Sequence, residues 1–389
     1  MLNDRSNLKR NKIHLKCLTS LRFFAVMLIV FHHLRLEFRP PLLKSSNFEN
    51  GGIIGVTFFL FLSGFVITLN YSNFYIMKES LYFLWNRIIR IYPVHIFTFF
   101  LSLIIIYMSN QPVKISTAII NLLLLQSYFP SQGIFFSFNY VSWILSTLFF
   151  FYIVFSFINH KLKYFGVIIL ISLFCLMISM VYIEMNQEAN KLWLLYIFPP
   201  NRLLVFLFGV GACKLFYKFR NSKENWGSKL LATLLEIICL LLIIDFIVWG
   251  NLTRFLNNVF LFINFPFKKS IDLFNKHYIA TTIPTFLILI TFGFEKGYIS
   301  RFLAKQFFVF LGEISFSIFM FHQLFFRFLR FYKKVLFNTF SQYAIIIIVV
   351  IAVIPLSILI YKFIEAPLRR KLRIDSVKAT LIQCCINDK

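Results

Sequence analysis

The sequence predicts an all-α, polytopic transmembrane helix bundle of about ten spans, with both termini cytoplasmic. Three observations predict it. Of 389 residues, 59% are hydrophobic and only 14% charged, where a soluble domain has about 45–50% and about 25%. The apolar residues form long runs, such as Ala344 to Ile360. The lysines and arginines fall between those runs rather than in one patch. A soluble enzyme, a disordered chain and a fibrous repeat are excluded. So is an outer-membrane barrel, whose strands would be about ten residues of alternating polarity.

A hydrocarbon core about 30 Å thick needs about 20 helical residues. Ten segments answer to that, roughly at 18–35, 53–71, 91–109, 142–159, 165–184, 199–217, 230–249, 279–294, 306–325 and 343–363. The run Ile115–Leu125 is apolar but short, and reads as a re-entrant or outer-surface segment. Of the 40 lysines and arginines, 25 fall in the tails and loops on one side and 13 on the other. The positive-inside rule puts the richer side, with both termini, in the cytoplasm. Residues 1–16 are polar and basic, and no small-residue cleavage site follows the first run. The first helix therefore reads as an uncleaved start-transfer helix.

The net charge of +25 suggests nucleic acid at first sight. The basic residues do not interleave with stacking aromatics, and membrane lipid headgroups account for them, so no nucleic-acid partner is expected. Cys17, Cys175, Cys213 and Cys239 lie in or beside apolar runs, and Cys384 and Cys385 sit in the tail. No CxxC or Cys/His spacing occurs, so neither a disulfide framework nor a metal site is expected.

A charge inside a membrane span costs a few kcal/mol or more (about 2.5–3.5 on insertion scales), so each one marks a functional candidate. The first span carries Arg22 and, 11 residues on, His33. At about 100° per residue the two face the same way, about 16 Å apart along the axis. Thr19 or Ser20 is placed to cap the helix start. An arginine fork suits a phosphate. A neutral imidazole suits proton removal from a hydroxyl, or transient carriage of an acyl group. Neighbouring His32 points away. The second span holds a small notch at Ser63 and Gly64, which suits either helix packing or substrate contact. Arg87 and Arg90 lie one turn apart at a cytoplasmic rim, a phosphate-binding spacing, with Pro93 expected to disrupt the helix beyond. Glu365 is spaced to pair with Lys362 or Arg369.

Taken in order, these segments resemble the acyltransferase-3 family of integral-membrane acyltransferases, which includes surface-polysaccharide and O-antigen O-acetyltransferases. Arg22 and His33 match that family's Arg-x10-His. Gly55, Val56, Phe58, Phe59, Ser63, Gly64 and Phe65 match its second-helix pattern. Arg87, Arg90, Ile91 and Pro93 match Arg-x-x-Arg-Ile-x-Pro. Leu311, Gly312, Ile314 and Ser315, with Phe316 and then His322, match the late Leu-Gly-x-Ile-Ser stretch, and Glu365 and Pro367 the closing Glu-x-Pro. The resemblance covers about residues 18 to 370. One departure stands out: where the family often has Trp-Ser-x-x-x-Glu, this chain has Trp143-Ile144 and Leu148.

The resemblance implies a transmembrane acyltransferase domain over 18–365, between cytoplasmic basic tails at 1–17 and 366–389, in the bacterial cytoplasmic (inner) membrane. It implies acetyl-CoA, or another acyl-CoA, as a donor co-substrate rather than a bound cofactor. Arg22, Arg87, Arg90 and Ser63 would contact the donor. His33, with Arg22, would act at the reacting group, as general base or acyl carrier. The acceptor would be a hydroxyl of a cell-surface glycan or lipid-linked saccharide. The chain has no room for the fused esterase-like domain of some relatives, so it would complete transfer alone or with a separate, unidentified protein partner. A transporter, flippase or polymerase of lipid-linked saccharides is the alternative. It would explain the spans and basic rims but not the ordered motifs.

Overall fold

The computed structural model describes residues 13–38, 49–71, 77–160, 164–186, 188–221 and 228–373. Of the expected tails at 1–17 and 366–389, residues 1–12 and 374–389, with Cys384 and Cys385, lie outside the described residues. The described residues are predominantly helical. The long helices are α1 (Lys16–Phe38), α2 (Glu49–Asn70), α3 (Met77–Met108), then after the short α4 (Ile115–Leu122), α5 (Trp143–His160), α6 (Phe165–Met185), α7 (Pro199–Asn221) and α8 (Lys229–Val248). An exposed helix α9 (Asn251–Phe262) leads to α10 (Ala280–Gly293) and the short α11 (Tyr298–Leu303). The chain ends in α12 (Gln306–Glu313), α13 (Ser315–Phe331), α14 (Gln342–Ile360) and α15 (Ala366–Leu372).

Eight helices among the described residues are long and apolar enough to cross a membrane, and α12 with α13, bent by 52°, is a ninth candidate when counted as one broken span rather than a re-entrant loop. The tenth expected span is α10. At 14 residues it falls short of the bilayer by itself, but helical turns from Ile271 to Ile279 run directly into it. The helix α4 has 8 residues, about 12 Å, and does not cross. That length agrees with the expectation that this run, read as a re-entrant or outer-surface segment, is not a span.

Two differences from the sequence reading concern α3. It begins at Met77, well before the expected 91, and Pro93 lies inside it without ending it. Neighbouring helices re-satisfy the carbonyl that a proline frees, which is why spans tolerate proline. Arg87 and Arg90, expected one turn apart on a helical face, lie on this continuous helix.

The bundle is organised around α1 and α2. Helix α2 crosses α7 at backbone contact, and Gly64 and Gly209 make that approach possible. On its other side α1 packs along α12 and α13. There a Cβ on Gly312 would fall 1.9 Å from the Thr19 carbonyl oxygen, so only glycine fits. Ser20 Oγ donates to the Leu303 carbonyl at 2.6 Å and ties α1 to α11. Helices α6 and α8 are peripheral. They expose Leu170, Phe174, Leu234 and Ile238, as lipid-facing helices do.

The start of α1 is not capped as its own sequence suggests. Glu295 Oε1, from the loop after α10, accepts the Cys17 backbone N–H at 2.8 Å. The Ser20 hydroxyl is committed to Leu303, and Thr19 Oγ1 donates back to the Leu15 carbonyl at 3.2 Å. A carboxylate at the helix N-terminus also meets the positive end of its dipole.

Candidate active site

A cavity of about 490 Å³ opens between α1, α2, α3, α5, α12, α13 and the turn into α15. Arg22, Ser63, Arg87 and Arg90, predicted from three separate stretches of sequence, all line it. Arg369 and Arg373 from the C-terminal helix join them, as do Glu313 and Glu365. Five guanidinium groups thus face two carboxylates across one mouth. Facing residues on α5 run from Tyr152 up to Ile144, about 12 Å of helix rise. The deep wall is apolar, formed by Phe59, Leu62, Leu145, Leu148, Phe316 and Phe319. The cavity is cationic at its mouth and greasy at its end.

Arg87 lies over the rings of Tyr71, Phe83 and Tyr152, at 5.1, 5.4 and 6.0 Å. Its Nε has no hydrogen-bond partner among the described residues. Cation–π contact holds such a side chain without consuming its N–H donors. Glu365 does not pair with Lys362 or Arg369 as its spacing suggests. It is buried and accepts the Ser317 hydroxyl at 2.6 Å, while the charges of Arg90, Arg22 and Arg369 act on it. The helix there is a π turn, Tyr361–Glu365, whose extra residue swings Glu365 inward. Tyr361 OH donates to Glu313 Oε2 at 3.3 Å. Leu148, at the family's acid position, faces the same cavity.

His33 is not part of the cavity lining. It lies farther along α1, where its Nδ1 is 2.9 Å from Nε2 of His322 on α13. The two rings stack at 5.1 Å and 29°. On α13, Phe316 and Phe319 line the cavity and His322 follows at the next turn. The Phe319 ring is 6.1 Å from Phe59 and 6.2 Å from His322. A Phe59–Phe319 partition therefore stands between the arginine cavity and the histidine pair. His32 turns away, as its angle predicts, and lies on Gly52 of α2, where a Cβ would meet its Cγ at 2.6 Å.

Beyond the histidines the surface becomes polar. Glu37 forms an ion pair with Arg330, and Gln323 Nε2 donates to Glu37 Oε1 at 3.4 Å. Arg327 lies over the Tyr140 ring at 4.5 Å and donates to the Phe138 carbonyl. The segment after α4 folds over this end through buried amides: Asn121 Nδ2 reaches Ser137 Oγ and Ser142 Oγ, and Asn139 Nδ2 reaches the Met320 carbonyl.

Sequence reasoning left one buried group unexplained. Arg202, at the start of α7, is fully buried. It donates to the His277 carbonyl at 3.1 Å and to Thr57 Oγ1 at 3.2 Å, between the rings of Tyr196 and Tyr278. Its position in an apolar helix was the available signal; its hydrogen-bond partners, Thr57 and His277, come from two distant segments. Among the described residues, no cluster of three or more His, Cys, Asp or Glu side chains is arranged to hold a metal ion.

The sequence profile of one family, described as an acyltransferase domain, matches residues 15–362. Acyltransferase MdmB of Streptomyces mycarofaciens is 28% identical over 222 residues, which is 51% of this chain and 56% of that protein. The chain thus spans little more than half the length of this curated relative. No solved structure matches.

Proposed function

Because the chain belongs to the acyltransferase-3 family of acyl-transferring enzymes, we propose that it moves an acetyl group from cytoplasmic acetyl-CoA to a hydroxyl of a surface or lipid-linked glycan, in the bacterial inner membrane. The observation that carries this reading is the convergence of Arg22, Arg87, Arg90, Arg369 and Arg373 on one cavity with an apolar end. A CoA thioester has that polarity: phosphates at one end and an uncharged arm carrying the acyl group at the other. Arginine forks would hold the phosphates. Ser63, one turn beyond Phe59 on α2 and facing the same space, would contact the arm.

His33 would then act as general base. The acceptor oxygen attacks the thioester carbonyl and its proton passes to His33. The C–S bond breaks, and the leaving thiolate takes the proton back as CoA–SH. This route needs the Phe59–Phe319 partition to part as the acyl group arrives. The polar end around Glu37, Gln323 and Arg327 would face the sugar. Membership of an acyltransferase family removes the need for a transporter, flippase or polymerase reading.

The test is glycan analysis of cells with and without the gene. Alkali-labile O-acetyl esters should vanish on deletion, return with the wild-type gene, and stay absent with His33→Ala. Unchanged acetylation on deletion would overturn the reading.

A further inference from the structure

The hydrogen-bond chain behind His33 sets which of its nitrogens is basic. His322 Nδ1 lies 3.1 Å from the carbonyl oxygen of Ile318, one turn back on α13. A carbonyl only accepts, so His322 Nδ1 carries a hydrogen. In neutral His322 the other nitrogen, Nε2, then has a bare lone pair. That lone pair is 2.9 Å from His33 Nδ1, so His33 Nδ1 carries the hydrogen of this bond. The basic nitrogen of neutral His33 is therefore Nε2.

We propose that His322 is a positioning residue that holds His33 in this one tautomer and ring orientation. This deepens the reading of His33 as general base and rests on it. The arrangement has the logic of a base oriented by a third group, with a neutral imidazole as the orienting acceptor. His322 is itself immobilised. It is fully buried, its ring lies against Phe319 and, at 5.7 Å, Phe326, and its Nδ1 is tied to the backbone of its own helix. The titratable groups whose charge acts on His33 are His322 and His32. His32 meets the His33 ring edge-on, at 5.1 Å and 64°.

In the transfer step the orientation decides where the proton goes. The hydroxyl proton moves to His33 Nε2 as the new C–O bond forms. The imidazolium keeps its Nδ1–H on His322 Nε2, and the Nε2 proton leaves with the CoA thiolate as the C–S bond breaks. Were His33 in the other tautomer, Nε2 would carry a hydrogen and have no lone pair for the acceptor. A positioned general base contributes typically 10²- to 10⁴-fold, so mis-setting the tautomer costs a large part of that.

The experiment uses the full chain in membranes of cells deleted for the gene. The probe is [14C]acetyl-CoA, and the readout is alkali-labile label in the membrane fraction. His322→Leu removes the acceptor. His322→Gln returns an acceptor oxygen at the Nε2 position. The expected result is a kcat about 100-fold lower for His322→Leu, with the KM for acetyl-CoA moving less than about twofold. His322→Gln should recover to within about tenfold of wild type. In parallel, nitrogen NMR of histidine-labelled protein in nanodiscs should show His33 as the Nδ1–H tautomer, shifting toward Nε2–H in His322→Leu. Unchanged kcat in His322→Leu, no recovery in His322→Gln, or an Nε2–H His33 in the wild type would each overturn the proposal. His33→Ala separates the two levels. If it retains transfer, the base assignment fails, whatever tautomer the NMR reports.

Discussion

Gly64 of α2 and Gly209 of α7 let two helices touch backbone to backbone. A Cβ on Gly64 would fall 2.2 Å from the Phe206 carbonyl oxygen, and one on Gly209 would fall 2.0 Å from that of Phe61. Each glycine sits against the other helix one turn from its counterpart. This reciprocal contact fixes α2, and with it the cavity-lining residues Phe59 and Ser63.

The clash is with backbone, which cannot rotate aside. Gly209→Ala or Gly64→Ala should destabilise the bundle by about 1–3 kcal/mol or more. Thermal unfolding in detergent checks this. A double Ala variant should cost less than the sum of the singles, since one separation of the helices relieves both.

Arg22→Ala, Arg87→Ala and Arg90→Ala should each raise the KM for acetyl-CoA about tenfold or more, with a smaller effect on acceptor use. One lost charge-assisted hydrogen bond accounts for that size. Lysine at these positions should recover only part, because it lacks the fork. Added salt should raise the wild-type KM. Steady-state kinetics against acetyl-CoA and its 3′-dephospho analogue measure both effects. Wild-type kinetics in Arg22→Ala would sink its phosphate role.

Phe59 and Phe319 close the deep end of the cavity. Phe319→Ala should open room for a longer acyl chain, shifting the butyryl-to-acetyl ratio of kcat/KM upward by about tenfold, within the 1–3 kcal/mol that each methylene in an apolar pocket is worth. Competition between the two thioesters reads the ratio.

Glu295 caps α1 from a distance and sits at φ 52°, in the left-handed region. Glu295→Ala should cost about 1 kcal/mol of stability and loosen the start of the helix that carries Arg22. Glu295→Gly should cost less, because glycine relieves the positive φ while losing the same cap. Thermal melts of both variants decide the order.

Arg202→Met should lower the melting temperature, since the His277 carbonyl and Thr57 hydroxyl lose their donor. A buried unsatisfied acceptor costs about 1–3 kcal/mol. Arg202→Lys should not restore stability fully, as an ammonium cannot bridge both acceptors from between two tyrosine rings.

The spans were legible because burying apolar side chains in lipid demands long helices, and that demand is written locally in composition. The predicted run at 142–159 and α5, or 165–184 and α6, differ by a residue at most at either end. The arginines were legible too, because a charge in an apolar run needs a reason to be there. Their meeting was not: Arg22, Arg90 and Arg369 belong to helices far apart in sequence, and only the packed bundle gathers them round one cavity.

Angular spacing on one helix predicts that Arg22 and His33 face the same way, but Arg22 lines the cavity and His33 does not. It carried no information about what would stand between them. The Phe59–Phe319 partition and the His322 partner come from α2 and α13, so neither lies within reach of a helical wheel. Local spacing also misled at Glu365 and at the α1 cap. Both sites are satisfied by residues brought in from elsewhere, Ser317 and Glu295. The sequence by itself determined which segments enter the membrane and which side chains are costly there. Tertiary packing alone decided their partners, because a hydrogen bond in a dry interior forms with whichever group the neighbouring helices bring within about 3 Å.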